Sequence, residues 1–458
     1  MDKASEHKMG KAPIVPLLFS MGVPIMISMM VQALYNVVDS IFISRTGEAA
    51  LTAVSLIFPI QIIIIAFAVG TAVGMNALLS RRLGEGRADQ ASDVAMTGIV
   101  LALALGVIMA LFGVTLPLWF IPMFTKDAAI VSMGNTYVLI ITIFSFSVFG
   151  QLMVERIMQG SGDTITPMFT QILGAVINIV LDPILIFGYF GFPALGVRGA
   201  AIATVTAQLI AFSLGFILLK KRSKIITIAF RKFTFTWRIV KDIYQVGFSS
   251  IIMQSIGSLM SVGMNAIMIT FSSTAVAFFG VYFRLQSFIF MPIFGLVTAM
   301  ISIVAFNYGA RQKERILATV RVTAFIAVGI MSAGTLLFFF GARQLLGLFD
   351  ASAELLAIGV PAMRIISFHF PVAAVAITLS VSFQGLGKGM YSLAISVIRQ
   401  LGVLLPAAYI LSSVWGLHAT WYAFLLSETA SITMGIFFFR RIYRQRILPL
   451  SEIPSVSR

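Results

Sequence analysis

The sequence predicts an all-α polytopic membrane protein, with twelve transmembrane helices forming two six-helix pseudo-symmetric bundles around a central cavity. Three observations predict it. The 458 residues are 59% hydrophobic and only 11% charged, with a mean hydropathy of +1.00, whereas a soluble chain carries about a quarter charged residues. The apolar runs continue for about twenty residues or more, the length a helix needs to cross the hydrocarbon core. A β-barrel would show alternating segments of about ten residues instead. Finally, the second half of the chain repeats the first.

In order, the spans fall at roughly 16–44, 51–79, 94–120, 129–158, 165–190, 196–219, 241–271, 275–306, 316–342, 355–384, 390–413 and 416–439. Their even number puts both termini on one side. Of the 32 lysines and arginines, 24 lie on the side of the termini and four, Arg45, Lys126, Arg198 and Arg343, on the other. Basic loops stay in the cytoplasm, so both termini are expected there, with the chain in the cell (inner) membrane. The net charge of +15 would suggest nucleic acid in a soluble protein; distributed by loop parity it reports topology, and no nucleic-acid partner is expected. The first apolar run is too long for a signal-peptide core and lacks a small-residue cleavage site. With no cysteine in the chain, disulfide and thiol chemistry are excluded.

The segment KKRSKIITIAFRKFTFTWRIVK is the only long polar connection. It divides the chain into an N-terminal six-helix lobe (1–220), a basic cytoplasmic linker (221–240) and a C-terminal six-helix lobe (241–458). The lobes repeat with an offset of 225: Gly22 falls on Gly247, Gln61 on Gln286, Gly70 on Gly295, Gly84 on Gly309, and Gln159-Gly160-x-Gly162 on Gln384-Gly385-x-Gly387. Toward the end the offset is 220, where Gly196 matches Gly416. Six spans per copy give the copies the same orientation, related by an axis along the membrane normal with a cavity between them, which is transporter architecture. A channel would more often repeat whole subunits around a pore, and no filter motif is present.

Span one carries Gln32, Asn36 and Asp39 at helical spacing, on one face. A charge at the centre of a membrane helix is unfavourable by about 2.5–3.5 kcal/mol, which argues for a use. In span five, Asp182 follows Asn178 by one turn, and Pro183 leaves the carbonyl of Ile179 without its usual donor. By helical rise, Asp39 and Asp182 lie about 10 Å from the outer ends of their spans, and Tyr137 and Thr204 lie at about 12–14 Å. Such a layer can hold one proton between two carboxyl groups. Equally, Asp39, Asn178, Asp182 and Thr204 offer the oxygen ligands that suit sodium. The repeat places Met264 opposite Asp39 and Ala407 opposite Asp182, so coupling is expected in the first lobe alone. In the second lobe Arg284, Arg364, His369 and Glu428 lie well inside their spans. An Arg–Glu pair between helices and an anchor for charged substrates are both open readings, and Arg399 is placed to snorkel. His369 reads first as a hydrogen-bonded core histidine. The 24 methionines and 40 phenylalanines suit a cavity for varied flat molecules. No phosphate-cradling loop or metal-binding histidine cluster occurs, so neither an enzyme nor a bound cofactor is expected.

These residues resemble the prokaryotic branch of the multidrug and toxic compound extrusion (MATE) family. The likeness rests on GVPIMISMMVQALYNVVDSIFIS in span one, RRLGEGR after span two, QGSGD after span four and NIVLDPILIFG in span five. GVRGAAIAT in span six and FRLQ in span eight complete it. The resemblance implies secondary active export of small organic, often cationic, compounds against inward H+ or Na+, by a monomer in the lipid bilayer. It implies a cation site at Gln32, Asp39, Tyr137, Asn178, Asp182 and Thr204. Relatives with an acidic pair in spans seven and ten find no match here: span seven shows no carboxylate, and span ten offers Arg364 and His369. A flippase for lipid-linked precursors is the alternative of related architecture, and would need a strongly cationic cavity from Arg284, Arg364 and Arg399. A membrane scaffold, the third reading, would not need Asp39 and Asp182.

Overall fold

The computed structural model describes residues 8–223, 225–228, 233–349 and 351–451. Lys3, Lys224, Arg231, Lys232 and Arg458, which enter the charge distribution, lie outside the described residues, as does part of the 221–240 linker. Among the described residues ten helices are long and apolar enough to cross a membrane, and the number is twelve when each of two bent helix pairs is taken as one span.

The first repeat consists of α1 (Ile14–Ser44), α2 (Glu48–Gly84), α3 (Ala88–Trp119), the pair α4 (Ala128–Ile143) and α5 (Phe146–Gly160), α6 (Ile165–Phe187) and α7 (Val197–Arg222). The second consists of α8 (Trp237–Met268), α9 (Ser273–Gly309), α10 (Lys313–Phe340), the pair α11 (Ala353–Ser367) and α12 (His369–Gly385), α13 (Gly389–Val397), α14 (Leu405–Trp415) and α15 (Tyr422–Ile442). The bends, 43° between α4 and α5 and 46° between α11 and α12, fall at equivalent places in the repeats. Each was expected as one unbroken span. Span eleven is also interrupted: Ile398–Leu404, between α13 and α14, is a π-helix. Among the described residues there is no strand.

Contacts divide the chain into two compact units, residues 27–83 with 87–251, and residues 1–26 with 84–86 and 252–458. The first therefore holds most of the N-terminal repeat but also the start of α8. The second holds most of the C-terminal repeat and the start of α1. Helices α1 and α8 change unit at Met26 and Ile251, positions related by the 225-residue offset.

Glycine makes these exchanges possible. Within the first unit, α2 crosses the start of α8 so closely that a Cβ at Gly74 would collide with the carbonyl oxygen of Ile243, and one at Gly247 would sit 2.8 Å from the oxygen of Gly70. Within the second unit a Cβ at Gly295 would lie 2.7 Å from the backbone nitrogen of Met26. The N-terminal segment is tied down there as well. Asn307 Nδ2 donates to the carbonyl of Met9 at 3.1 Å, and Arg315 Nη2 donates to the carbonyls of Met9 at 2.9 Å and Ala12 at 2.8 Å. One expectation needs correction. The seventh span does carry a carboxylate, Asp242, near the start of α8, where Arg82 lies 4.0 Å away.

The α6–α7 hairpin positions the polar layer. Gly188 caps α6 in the left-handed region at φ 78, a conformation that side chains with a Cβ avoid. The chain then folds back: Leu195 N–H donates to Leu185 O at 2.9 Å and Gly196 N–H to Ile186 O at 3.1 Å. Pro183 is accommodated inside the continuous helix, whose buried face includes Gln171, Asn178 and Asp182.

Overpacking a tight helix crossing destabilises by about 1–3 kcal/mol. Gly74→Val is therefore expected to lower the melting temperature of the detergent-solubilised protein by several degrees. Gly329→Ala, where an added Cβ meets nothing within 4 Å, should leave it unchanged.

Candidate functional site

Asp39 on α1 and Asp182 on α6 bring their carboxyl groups within hydrogen-bonding reach of each other. Asp182 is fully buried and Asn178 nearly so. Asn178 Nδ2 donates to Asp182 Oδ1 at 3.3 Å and to Thr204 Oγ1 on α7 at 3.4 Å. Tyr137 on α4 is buried and lies within electrostatic reach of both aspartates. The cluster thus draws on α1, α4, α6 and α7, as the depth estimate from sequence anticipates.

The polar atoms around it share one property. Asp39 Oδ1, Asn178 Oδ1 and Asp182 Oδ2 are buried with no hydrogen-bond partner. All three are acceptors. What this group of oxygens can accommodate is a donor or a cation: a proton, or a sodium ion held by Asp39, Asn178, Asp182 and Thr204. Among the described residues no three His, Cys, Asp or Glu side chains converge in the manner of a transition-metal site.

Two residues of the α1 stripe stand apart. Gln32 is half-buried about two turns before Asp39, and Asn36 is exposed, its carbonyl accepting from Ser40 Oγ at 2.8 Å. Asn36 does not face the cluster, contrary to the helical spacing argument. Its neighbour Tyr35 does, interacting electrostatically with Asp39, Asp182 and Glu155. Residues three and four positions before Asp39 flank its direction almost equally, and the rotation of α1 selects the tyrosine. A second residue missed is Gln61 on α2, whose Nε2 donates to the Tyr137 hydroxyl at 3.1 Å. The signal for it was present, since Gln61 is one of the residues the repeat preserves.

In the C-terminal unit the expected grouping of Arg284, Arg364, His369 and Glu428 is not what forms. Arg284 and Arg364 are exposed. Arg364 Nε donates to the Phe339 carbonyl at 3.1 Å, and its guanidinium lies 5.5 Å from the Phe339 ring centre. Glu428 is buried and pairs instead with Arg399, Nη1 to Oε1 at 2.8 Å. Arg399 sits in the π-helix, whose wider turn redirects the side chains that follow it, and it is engaged there in place of the snorkelling expected. His369 is buried, with Nδ1 2.6 Å from the Ile366 carbonyl. A carbonyl only accepts, so the proton is on Nδ1. Phe290, Phe370 and Phe424 surround its ring.

The chain is similar to known proteins along most of its length. The MatE family model matches the chain twice, over residues 24–184 and 249–410, and the two matches begin 225 residues apart. The chain is similar to the probable multidrug resistance protein YoeA of Bacillus subtilis (strain 168), 25% identical over 430 residues that cover 93% of each chain. It is similar to the FAD transporter of Shewanella oneidensis, 28% identical with 94% of each chain covered. Among solved structures, the outward-facing conformation of a multidrug resistance MATE family transporter of the MOP superfamily superposes with a TM-score of 0.90. It is 29% identical, over 98% of this chain and 99% of that one.

The Arg399–Glu428 pair generates a stability prediction. Removing one partner of a buried ion pair leaves the other without its counter-charge, whereas replacing both by apolar groups is often neutral. Because Arg399 keeps 27% of its side chain accessible, Glu428→Gln is expected to destabilise by about 2 kcal/mol rather than the larger values of fully enclosed pairs. Arg399→Met/Glu428→Leu should recover most of the loss in detergent melting curves.

Proposed function

The chain belongs to the MatE family, and from that premise we propose that it is a secondary active efflux transporter. It exports small organic, often cationic, compounds by alternating access in exchange for protons entering through the Asp39–Asp182 pair. Its basic loops and both termini face the cytoplasm. The substrate class is supported by relatives named for multidrug resistance and multidrug export.

The observation that carries the reading is the approach of two carboxyl groups in an apolar interior. Two carboxylates repel, and hydrogen-bond to each other only when one of them holds a proton. The site therefore has a stable one-proton state. Adding a second proton neutralises the pair; removing both leaves two charges that the helices around Asp182 must answer. Exchange between such states is what coupling to a gradient requires, because a ligand drives a conformational change only through its different affinity for the two conformations. Sodium is the competing ion. Its case rests on the unpartnered Asn178 oxygen and on Thr204.

A second reading has its own observation. Arg284 and Arg364 are exposed cations within membrane helices, as an anionic substrate would want, and the Shewanella relative is named for FAD. A flippase for lipid-linked pyrophosphates would call on Arg399 too, but Glu428 already takes its charge.

Asp39→Asn and Asp182→Asn are each expected to abolish efflux of the fluorescent cation ethidium from intact cells while leaving membrane expression unchanged. In inverted vesicles, uptake of ethidium by the unaltered protein should follow an imposed proton gradient. A sodium gradient alone should not drive it. Full efflux by both variants would remove the coupling role, and uptake that follows sodium alone would transfer it to that ion.

A further inference from the structure

The buried polar network of the N-terminal unit continues past the aspartate pair, toward the basic side of the chain. On α6, Gln171, Asn178 and Asp182 share one buried face, seven and four residues apart. Gln171 Oε1 accepts from Gln151 Nε2 on α5 at 2.8 Å, and the same amide donates to Glu155 Oε1 at 3.0 Å. Both glutamines are buried. By helical rise, Gln171 lies about 16 Å along α6 from Asp182. Glu155 lies about 7 Å from the end of α5 at Gly160.

Glu155 has no ion-pair partner among the described residues. Arg156, beside it in sequence, turns its guanidinium to Gln159 Oε1 at 3.0 Å. The charged and titratable groups around Glu155 are that arginine on its own helix and Tyr35 on α1. From α6, Gln171 acts one step removed, holding the Gln151 amide that donates to Glu155. Tyr35 stands one turn before Asp39, and it interacts with Asp39, Glu155 and Asp182 alike. A hydroxyl there both donates and accepts.

Gln151 would be equally satisfied by a glutamine at 155, because an amide oxygen accepts as a carboxyl oxygen does. What a carboxyl group adds is the capacity to bind and release a proton. An ionisable group inside a membrane protein marks proton relays and ion pathways.

We propose that Glu155 is a second proton station of this unit, receiving the proton that leaves the Asp39–Asp182 pair and delivering it toward the basic face, with Gln151 and Gln171 positioning its carboxyl group. In the transfer, the O–H bond of the protonated aspartate breaks and that carboxyl group becomes anionic. Tyr35 accepts one proton and gives up another, ending unchanged. An O–H bond forms on the Glu155 carboxylate, which becomes neutral, and release to the cytoplasm restores it. The assignment rests on reading Asp39 and Asp182 as the proton-coupling pair.

The test uses the full-length protein in liposomes with an imposed pH difference, and ethidium as the transported probe. Glu155→Gln should bind ethidium within about twofold of the unaltered affinity, yet its gradient-driven initial rate should fall about tenfold or more, the scale of losing a positioned proton acceptor. Its pH-difference infrared spectrum should lack one carboxylic-acid carbonyl band. Glu155→Asp, which keeps the titrating group, should recover part of the rate. An unaltered rate and pH profile in Glu155→Gln overturns the proposal. So does loss of ethidium affinity with an unchanged pH profile, which would make Glu155 a substrate anchor. An aspartate variant as slow as the glutamine variant, with every infrared band retained in both, would leave it a structural role only. Asp39→Asn run alongside separates the two levels: if it too transports normally under the pH gradient, the coupling pair itself is misassigned.

Discussion

A carboxyl group enclosed by apolar helices is the constraint on which the N-terminal unit depends. Lipid offers it no hydrogen bonds and little dielectric relief. The helices respond with a layer of amides and hydroxyls: Asn178 bridges Asp182 and Thr204, Gln61 holds Tyr137, and Ser147 Oγ donates to Gln208 Oε1 at 3.1 Å. These contacts need close backbones, and small residues provide them. A Cβ at Gly199 would lie 2.4 Å from the Leu185 carbonyl oxygen, and one at Gly174 would lie 3.2 Å from Ala211 Cβ. Thr204 reaches Asn178 because α6 and α7 can approach this closely.

The two repeats share a fold and differ in what they enclose, as fold and site chemistry are free to do. At the 225-residue offset Asp39 becomes Met264, Tyr137 becomes Ala362, Asn178 becomes Val403 and Asp182 becomes Ala407. Gln61 keeps its type, as Gln286, and there the amide oxygen is buried without a partner: the glutamine remains while the tyrosine it would hold has gone. The reverse comparison is as telling. Arg399 falls on Gly174, and Glu428 falls on Gln208 at the 220-residue offset. Where the first repeat packs a bare glycine against α7, the second places a charge and the glutamate that neutralises it.

The spans and the repeat were legible because apolar length and paired glycines are local signals. Asn178 and Asp182 were legible for the same reason, lying one turn apart on one helix. The bends within the fourth and tenth spans left no such mark, since both arms are equally apolar. At Asp39, periodicity narrowed the neighbouring residue to Tyr35 or Asn36 and could go no further. The choice between them is made by tertiary packing. The partner of Glu428 was hidden more deeply. Arg284, Arg364 and Arg399 all lie at plausible depths, and only the π-turn at Ile398–Leu404 brings Arg399 round to it. Nothing in IRQLGVL announces that extra residue per turn.

The asymmetry bears on how a gradient could do work through such a molecule. A proton shifts a conformational equilibrium only by as much as it binds one state better than the other. Glu428 has a fixed counter-charge, Arg399 at 2.8 Å. Asp39 and Asp182 have only each other, so each proton added or removed changes the energy of the site substantially. On the proposed reading, the N-terminal unit is the one that responds to the proton gradient. An acidic pair in one repeat and a self-neutralising pair in the other would let a single gradient act on a single unit.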